Sequence, residues 1–265
     1  MKTYFVDSFT NQKFKGNPAA VCFTDSDLDN VTMQNIATEI GFSETAFVKN
    51  TGDHVYGIRF FTPKKEIALC GHATLAASKI IFDTTDLATI SFINYEQVEL
   101  KIHKKNEKIV MSFPVYETEA IEVPVTLLHA LGINEILNAR FSPNNKIILL
   151  EIESADMLSG LQPDFAALVS SYQGINGVLV TAKSGNPDFE FYYRYFWPWA
   201  GTNEDPVTGG VQTFLTKYWA HRLNKNKLRA FQSSLRTGTM TTELFGEKVL
   251  IYGEAVVVFE GELRN

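Results

Sequence analysis

Apolar and polar positions alternate in short runs along the first third of the chain. The pattern predicts strands at Thr3–Val6, Ala19–Phe23, Thr45–Val48 and Val55–Phe61, all rich in aromatic and β-branched residues and punctuated by Gly and Asn. Two segments break this rhythm. Residues 29–40 carry Val31, Ile36, Ala37 and Ile40 about one helical turn apart, and Gly41 follows as a C-cap. Residues 71–82 place Ala73, Leu75, Ala76, Ala77, Ile80 and Ile81 on nearly every side of a helix. A helix without a polar face is a buried one, so a largely β chain is expected to enclose it.

The pattern then returns. Arg59-Phe60-Phe61-Thr62-Pro63 resembles Arg194-Tyr195-Phe196-Trp197-Pro198, an offset of 135. Glu66, Gly71 and Lys79 line up with Glu204, Gly209 and Lys217 at an offset of 138, and Ile36–Val48 has a fainter echo in Leu168–Val180 at 132. Three matches in one order, with offsets drifting by small insertions, predict a duplicated unit of strand, Pro-containing turn, acidic residue, Gly and buried helix. The Glu-rich stretch between Pro114 and Pro124 reads as a solvated joint, giving lobes at 1–116 and 117–265 with the last strand able to return to the first lobe. Two similar halves make the cleft between facing helix N-termini the expected place for a site.

Composition narrows the classes. The chain has 265 residues, 45% of them hydrophobic and 20% charged, enough to bury a core. A net charge of −6 without a Lys/Arg cluster argues against nucleic acid as a partner. No apolar run approaches the ~20 residues of a membrane span, and the strand-like start lacks a signal peptide's apolar stretch. Cys22 and Cys70 make no disulfide framework, which fits a reducing cytoplasm.

Three stretches carry chemistry. In Leu69-Cys70-Gly71-His72-Ala73-Thr74, a Gly opens a helix whose free amides favour an anion, with His72 in the first turn. Asn203-Glu204-Asp205-Pro206-Val207-Thr208-Gly209-Gly210 is its counterpart, with one of the two acids accounted for as an N-cap. Glu44, flanked by Phe42, Ala46 and Phe47, is expected to have its pKa raised by desolvation, as suits a general base. Cys70 reads either as a helix-activated thiolate or, more commonly for such a residue, as an inert buried one. The histidines are scattered without zinc spacing, and phosphate-loop, dinucleotide and nucleophile-elbow motifs are missing. Tyr192–Trp199 reads as a core strand sooner than a stacking surface.

Together the motifs resemble the PhzF family of phenazine-biosynthesis-like isomerases. The matching stretches are Asp7-Ser8-Phe9-Thr10 with Gly16-Asn17-Pro18-Ala19-Ala20-Val21, Ser43-Glu44-Thr45-Ala46-Phe47, Cys70-Gly71-His72-Ala73-Thr74-Leu75-Ala76 and Glu204-Asp205-Pro206-Val207-Thr208-Gly209. The resemblance implies an α+β, diaminopimelate epimerase-like fold: two pseudo-symmetric lobes, each a curled, mostly antiparallel, barrel-like sheet around a central helix. It implies a cofactor-free, metal-free homodimer that shifts a proton within a small carboxylate-bearing substrate. Glu44 matches the family's proton-transferring glutamate, with His72 and Asp205 as further catalytic residues. Asn17, Gly71, Gly209 and Gly210 match substrate-binding positions. Two departures stand out. Gly210-Val211-Gln212 replaces the family's Ser-Ala-His, and Gln232–Gly238 follows its Gln-x-x-Arg-Gly-Gly pattern loosely. The alternatives are an amino-acid racemase, for which related enzymes use two cysteines and this chain offers Cys70 alone, and a binding protein that has kept the fold without the chemistry.

Overall fold

The computed structural model describes residues 1–264. It divides into two compact units, one made of Met1–Ser112 with the chain from Leu250 onward, the other of Phe113–Val249. The elements of the first stretch are β1 (Lys2–Ser8), β2 (Asn17–Thr24), α1 (Asn30–Ile40), β3 (Thr45–Gly52), β4 (Val55–Phe61), β5 (Glu66–Ile67), α2 (Gly71–Thr84), β6 (Thr89–Ile93), β7 (Glu99–Lys105) and β8 (Lys108–Pro114). The second stretch contains β9 (Glu119–Ala120), α3 (Val125–Leu131), β10 (Asn138–Ser142), β11 (Ile147–Glu151), α4 (Ala155–Gly160), α5 (Phe165–Ser171), β12 (Gly177–Lys183), β13 (Phe191–Phe196), α6 (Gln212–Leu223), β14 (Lys227–Gln232) and β15 (Gly238–Phe245). The chain ends with β16 (Lys248–Gly253) and β17 (Ala255–Glu262). All four strands expected in the first third are present.

Each unit is a mixed sheet with few helices, an α+β arrangement that is curled but not closed. In the first, β17 and β2 flank β1 antiparallel, β2 and β3 run parallel, β3 and β4 antiparallel, β4 and β6 parallel, and β6 and β7 antiparallel. From β10 to β15 the second repeats that alternation: β10 and β11 antiparallel, then parallel, antiparallel, parallel and antiparallel steps. The helices fall at equivalent crossovers, α1 against α4 and α5, and α2 against α6. The duplication read from the sequence is therefore a repeat of topology.

Local chemistry explains the helices. Asp29 caps α1 by accepting from Thr32 N at 2.9 Å, and Gly41 ends it in the left-handed conformation, φ 73°. Its apolar face, Met33 and Ala37, packs on Cys22, Phe47 and Phe61. In α2 the run from His72 to Ser78 is buried throughout, along with Ile80, Ile81 and Phe82. Four strands, β1, β2, β3 and β17, lie against it. In the second unit Leu127, Leu131, Leu150, Leu158, Leu168, Val180 and Phe196 form the core under α3, α4 and α5. Phe191, Tyr193 and Phe196 are buried, so the aromatic run is a core strand.

The repeat also carries a polar clip. Arg59 makes a two-pronged pair with Glu66 at 2.7 and 2.6 Å, and Arg194 makes the same pair with Glu204 at 2.7 and 2.8 Å. Each arginine stacks on the phenylalanine two residues on, at 5.3 Å from the Phe61 ring centre and 4.9 Å from that of Phe196. The backbone follows suit, with Phe61 paired to Glu66 and Phe196 bridged to Glu204. Glu204 is thus a clip residue and not an N-cap. Both clips fasten the turn that leads from a strand into the central helix.

The clips differ in burial. Side-chain exposure is 28% and 20% for Arg59 and Glu66, against 9% and 17% for Arg194 and Glu204, and Arg194 also donates to the Leu161 carbonyl at 2.7 Å. Removing one partner of a buried pair strands the other's charge. Glu204→Ala is expected to cost about 3–5 kcal/mol, and Glu66→Ala about 1 kcal/mol. Urea unfolding of the two variants beside the parent measures the difference.

Candidate active site

In the first unit, three segments distant in sequence converge at the N-terminus of α2. Gly16 precedes β2 with φ +67°, and a Cβ there would lie 2.2 Å from the Ser8 carbonyl oxygen, so only glycine brings Asn17 in beside β1. Ser8 Oγ donates to the His72 carbonyl at 2.7 Å, tying β1 to the first turn of α2. Glu44 ends the α1–β3 loop, and its carbonyl accepts from Ala20 N at 3.3 Å.

The side chains meet at His72. Its Nε2 lies 3.0 Å from Glu44 Oε2, with 8–9% of either side chain exposed. The Asn17 amide nitrogen is 3.2 Å from Nδ1, and Cys70 Sγ is 3.5 Å from Nδ1 and 3.8 Å from Nε2. Asn17 faces Nδ1 in either charge state. It donates when the ring is neutral, and turns its amide oxygen inward when both ring nitrogens carry protons. Asn17 and Cys70 as direct neighbours of His72 are contacts that spacing along the chain did not show. The Gly-Asn-Pro stretch drew notice only through its resemblance to the family pattern.

Electrostatics revise one expectation. Burial does push the Glu44 carboxyl up, but the His72 charge and hydrogen bond outweigh it, so Glu44 sits below its ordinary 4.5. Burial likewise disfavours charge on His72, and there Cys70 and Glu44 together prevail, holding the imidazole well above 6.5. Both directions favour a carboxylate at Glu44 beside a protonated imidazole at His72. The neighbour that desolvation arguments miss is an imidazole donated by another segment. Burial raises the Cys70 thiol, so the helix terminus does not make it a ready thiolate. Cys70, the N-cap residue of α2, gives the first turn no side-chain hydrogen bond, leaving the amides at Gly71 uncapped by a side chain.

Linkage follows from these directions. Glu44, with its lowered value, contributes stability above about pH 4.5 that is lost as pH falls through the folded value. His72, with its raised value, contributes below 6.5 and loses that contribution as pH rises through its folded value. Imidazole NMR should find His72 still protonated above pH 6.5 in the parent, and deprotonating at lower pH in Glu44→Gln.

The second unit brings Asp205, Gly209 and Gly210 together ahead of α6. The helix starts later than expected, at Gln212, so both glycines lie in the preceding turn. Asp205 is 9% exposed and accepts from Thr208 Oγ1. Gln232 staples this turn from both ends, Nε2 donating to the Asp205 carbonyl at 2.6 Å and Oε1 accepting from Thr208 N at 2.7 Å. Sequence reading missed Gln232 as a support, although it opens the loosely matched 232–238 stretch. At Gly210 the backbone is not left-handed and a Cβ would meet nothing within 4 Å, so no steric demand explains the glycine. Gly210→Ser is expected to fold with its stability changed by no more than about 0.5 kcal/mol, measurable by thermal unfolding.

Comparison with known proteins finds similar chains over nearly the whole length. The family model described as phenazine biosynthesis-like protein matches residues 6–261. A Halalkalibacterium halodurans protein named as an uncharacterized isomerase is 39% identical over 264 residues, covering 98% of this chain and 97% of its own length. A Pseudomonas aeruginosa protein named in the same way is 41% identical over 261 residues, with 98% and 97% covered. The crystal structure of a PhzF-family protein from Enterococcus faecalis superposes with a TM-score of 0.93 at 36% identity, over 100% of this chain and 99% of that one.

Proposed function

The chain belongs to the phenazine biosynthesis-like (PhzF) family, and from that footing we propose that it is a cofactor-independent isomerase moving a proton within a small carboxylate-bearing substrate. The observation that carries this reading is a buried glutamate and a buried histidine 3.0 Å apart at the start of α2. Relatives with isomerase in their names support the reaction class.

Glu44 is the base in this proposal. A carboxylate with a lowered pKa is a weak base toward carbon, so the barrier must fall by stabilising the anion that forms. His72 suits that task. When Glu44 takes the substrate proton its own charge vanishes, and the imidazolium beside it is left facing the new negative charge. Glu44, now a carboxylic acid, returns the proton at another carbon. Asn17 keeps the His72 ring oriented, and the amides at Gly71 receive a substrate carboxylate. Asp205, with Gly209 and Gly210, is proposed as a further set of substrate-binding polar groups in the second unit, and the active species as a homodimer in the cytoplasm. No helix among the described residues is long and apolar enough to cross a membrane.

Incubation in D2O with a panel of small aromatic and amino acids, read by mass spectrometry, tests the reaction. Deuterium incorporation is expected in the parent and should fall about 10²–10⁴-fold in Glu44→Gln. Exchange that survives in Glu44→Gln and disappears in Cys70→Ala would replace this reading with thiol racemisation. For a responsive substrate, kcat/KM should lose activity on the acid side only below pH 4.5, as Glu44 protonates, and on the basic side only above pH 6.5, as His72 deprotonates.

A further inference from the structure

Cys70 is given no part in the proposed proton shift, yet its sulfur lies against His72 and within 4.8 Å of Glu44. We propose that Glu44, Cys70 and His72 form a binding site for a thiophilic divalent cation of the Zn²⁺ class, with the fourth coordination position open. Each residue offers one ligand atom, and these atoms all lie within 4.8 Å of one another. The residues are 6%, 7% and 8% exposed, so the cluster is buried without being fully sealed.

The spacing is close to what zinc requires. With Zn–S of about 2.3 Å and Zn–N and Zn–O of about 2.0–2.2 Å, a tetrahedron has edges of about 3.5 Å between sulfur and nitrogen and about 3.4 Å between nitrogen and oxygen. Cys70 Sγ is 3.8 Å from His72 Nε2, and Nε2 is 3.0 Å from Glu44 Oε2. The third edge, between Cys70 Sγ and the Glu44 carboxylate, is bounded at 4.8 Å, so closing the tetrahedron takes a rotation of the Cys70 or Glu44 side chain toward the other. Asn17, set against Nδ1, supplies the outer support that metal-bound histidines ordinarily have, accepting from Nδ1–H once Nε2 takes the metal. Charge also balances. A thiolate and a carboxylate neutralise the dication while the imidazole becomes neutral, so the buried assembly carries no net charge. Forming it expels one proton from the thiol and one from the imidazolium, and binding tightens as pH rises. The thiolate selects zinc-like ions over Mg²⁺ and Ca²⁺. The site stands apart from the isomerase reading, and only its consequence, that an occupied site takes Glu44 away from the substrate, rests on that reading.

Titration of the full chain with Co²⁺ as a spectroscopic stand-in for Zn²⁺, at mildly alkaline pH under reducing conditions, tests the proposal. The expected result is a thiolate-to-cobalt charge-transfer band with the intense visible absorption of tetrahedral Co²⁺, saturating at one ion per chain and erased by Zn²⁺. Cys70→Ser should abolish the charge-transfer band and weaken binding, whereas Cys22→Ser should leave both unchanged. If Cys70→Ser does not fold, His72→Gln takes its place and must lose the tetrahedral spectrum. A weak octahedral spectrum without charge transfer, or a band that survives in Cys70→Ser, overturns the site. Zn²⁺ that binds with this signature but leaves turnover untouched would keep the site and remove Glu44 from the chemistry.

Discussion

A helix that is apolar on every side can be satisfied only by being surrounded, and α2 imposes that condition on the whole first unit. Its Ala and Ser positions keep it thin enough for strands to approach, and β1, β2, β3 and β17 curl against it. Because the strands must follow the helix, their ends gather where it begins. Asn17 at the start of β2, Glu44 just before β3 and the Cys70-Gly71-His72 turn therefore meet at one point. The Glu44–His72 pair sits at the N-terminal end of the helix, where these strand ends and loops gather.

Much of this architecture was legible in the order of residues. Period-two runs marked the early strands, the missing polar face marked α2, and drifting offsets marked the duplication. The Arg59–Glu66 and Arg194–Glu204 clips give those offsets their physical content, since a two-pronged ion pair tolerates few substitutions at either end. What could not be read was partnership across space. Glu44 looked like a carboxylate raised by apolar neighbours because those neighbours are adjacent in sequence, whereas its controlling partner is His72, on another element. The start of α6 was misjudged for a related reason: the Gly pair resembles a helix opening, but the chain turns once more before the helix begins.

The Glu44–His72 pair carries the usual liability of buried charge. Taking both ions out of water costs several kcal/mol each, and their attraction offsets this only when geometry and further hydrogen bonds are good. Asn17 lies on the far side of the imidazole, but Glu44 Oε2, 3.0 Å from Nε2, is a buried oxygen without a well-aligned hydrogen bond, so that condition is met only in part. The pair is better understood as preorganised polarity than as a source of stability. An imidazolium already in place needs no reorganisation when charge develops nearby.

The pairing of β17 with β1 means that the two units differ in how the ribosome delivers them. Residues 113–249 are continuous, so everything the second unit needs has been made before β17 exists. The first unit begins with β1 yet lacks a neighbour on one edge of that strand until the chain reaches Ala255–Glu262, and Met1 and Leu263 then bond backbone to backbone. Through most of synthesis β1 is an open sheet edge awaiting its partner. Such an edge is where wrong pairings start. The unit that holds the Glu44–His72 pair is therefore the last to be completed, and the longest exposed to misassembly.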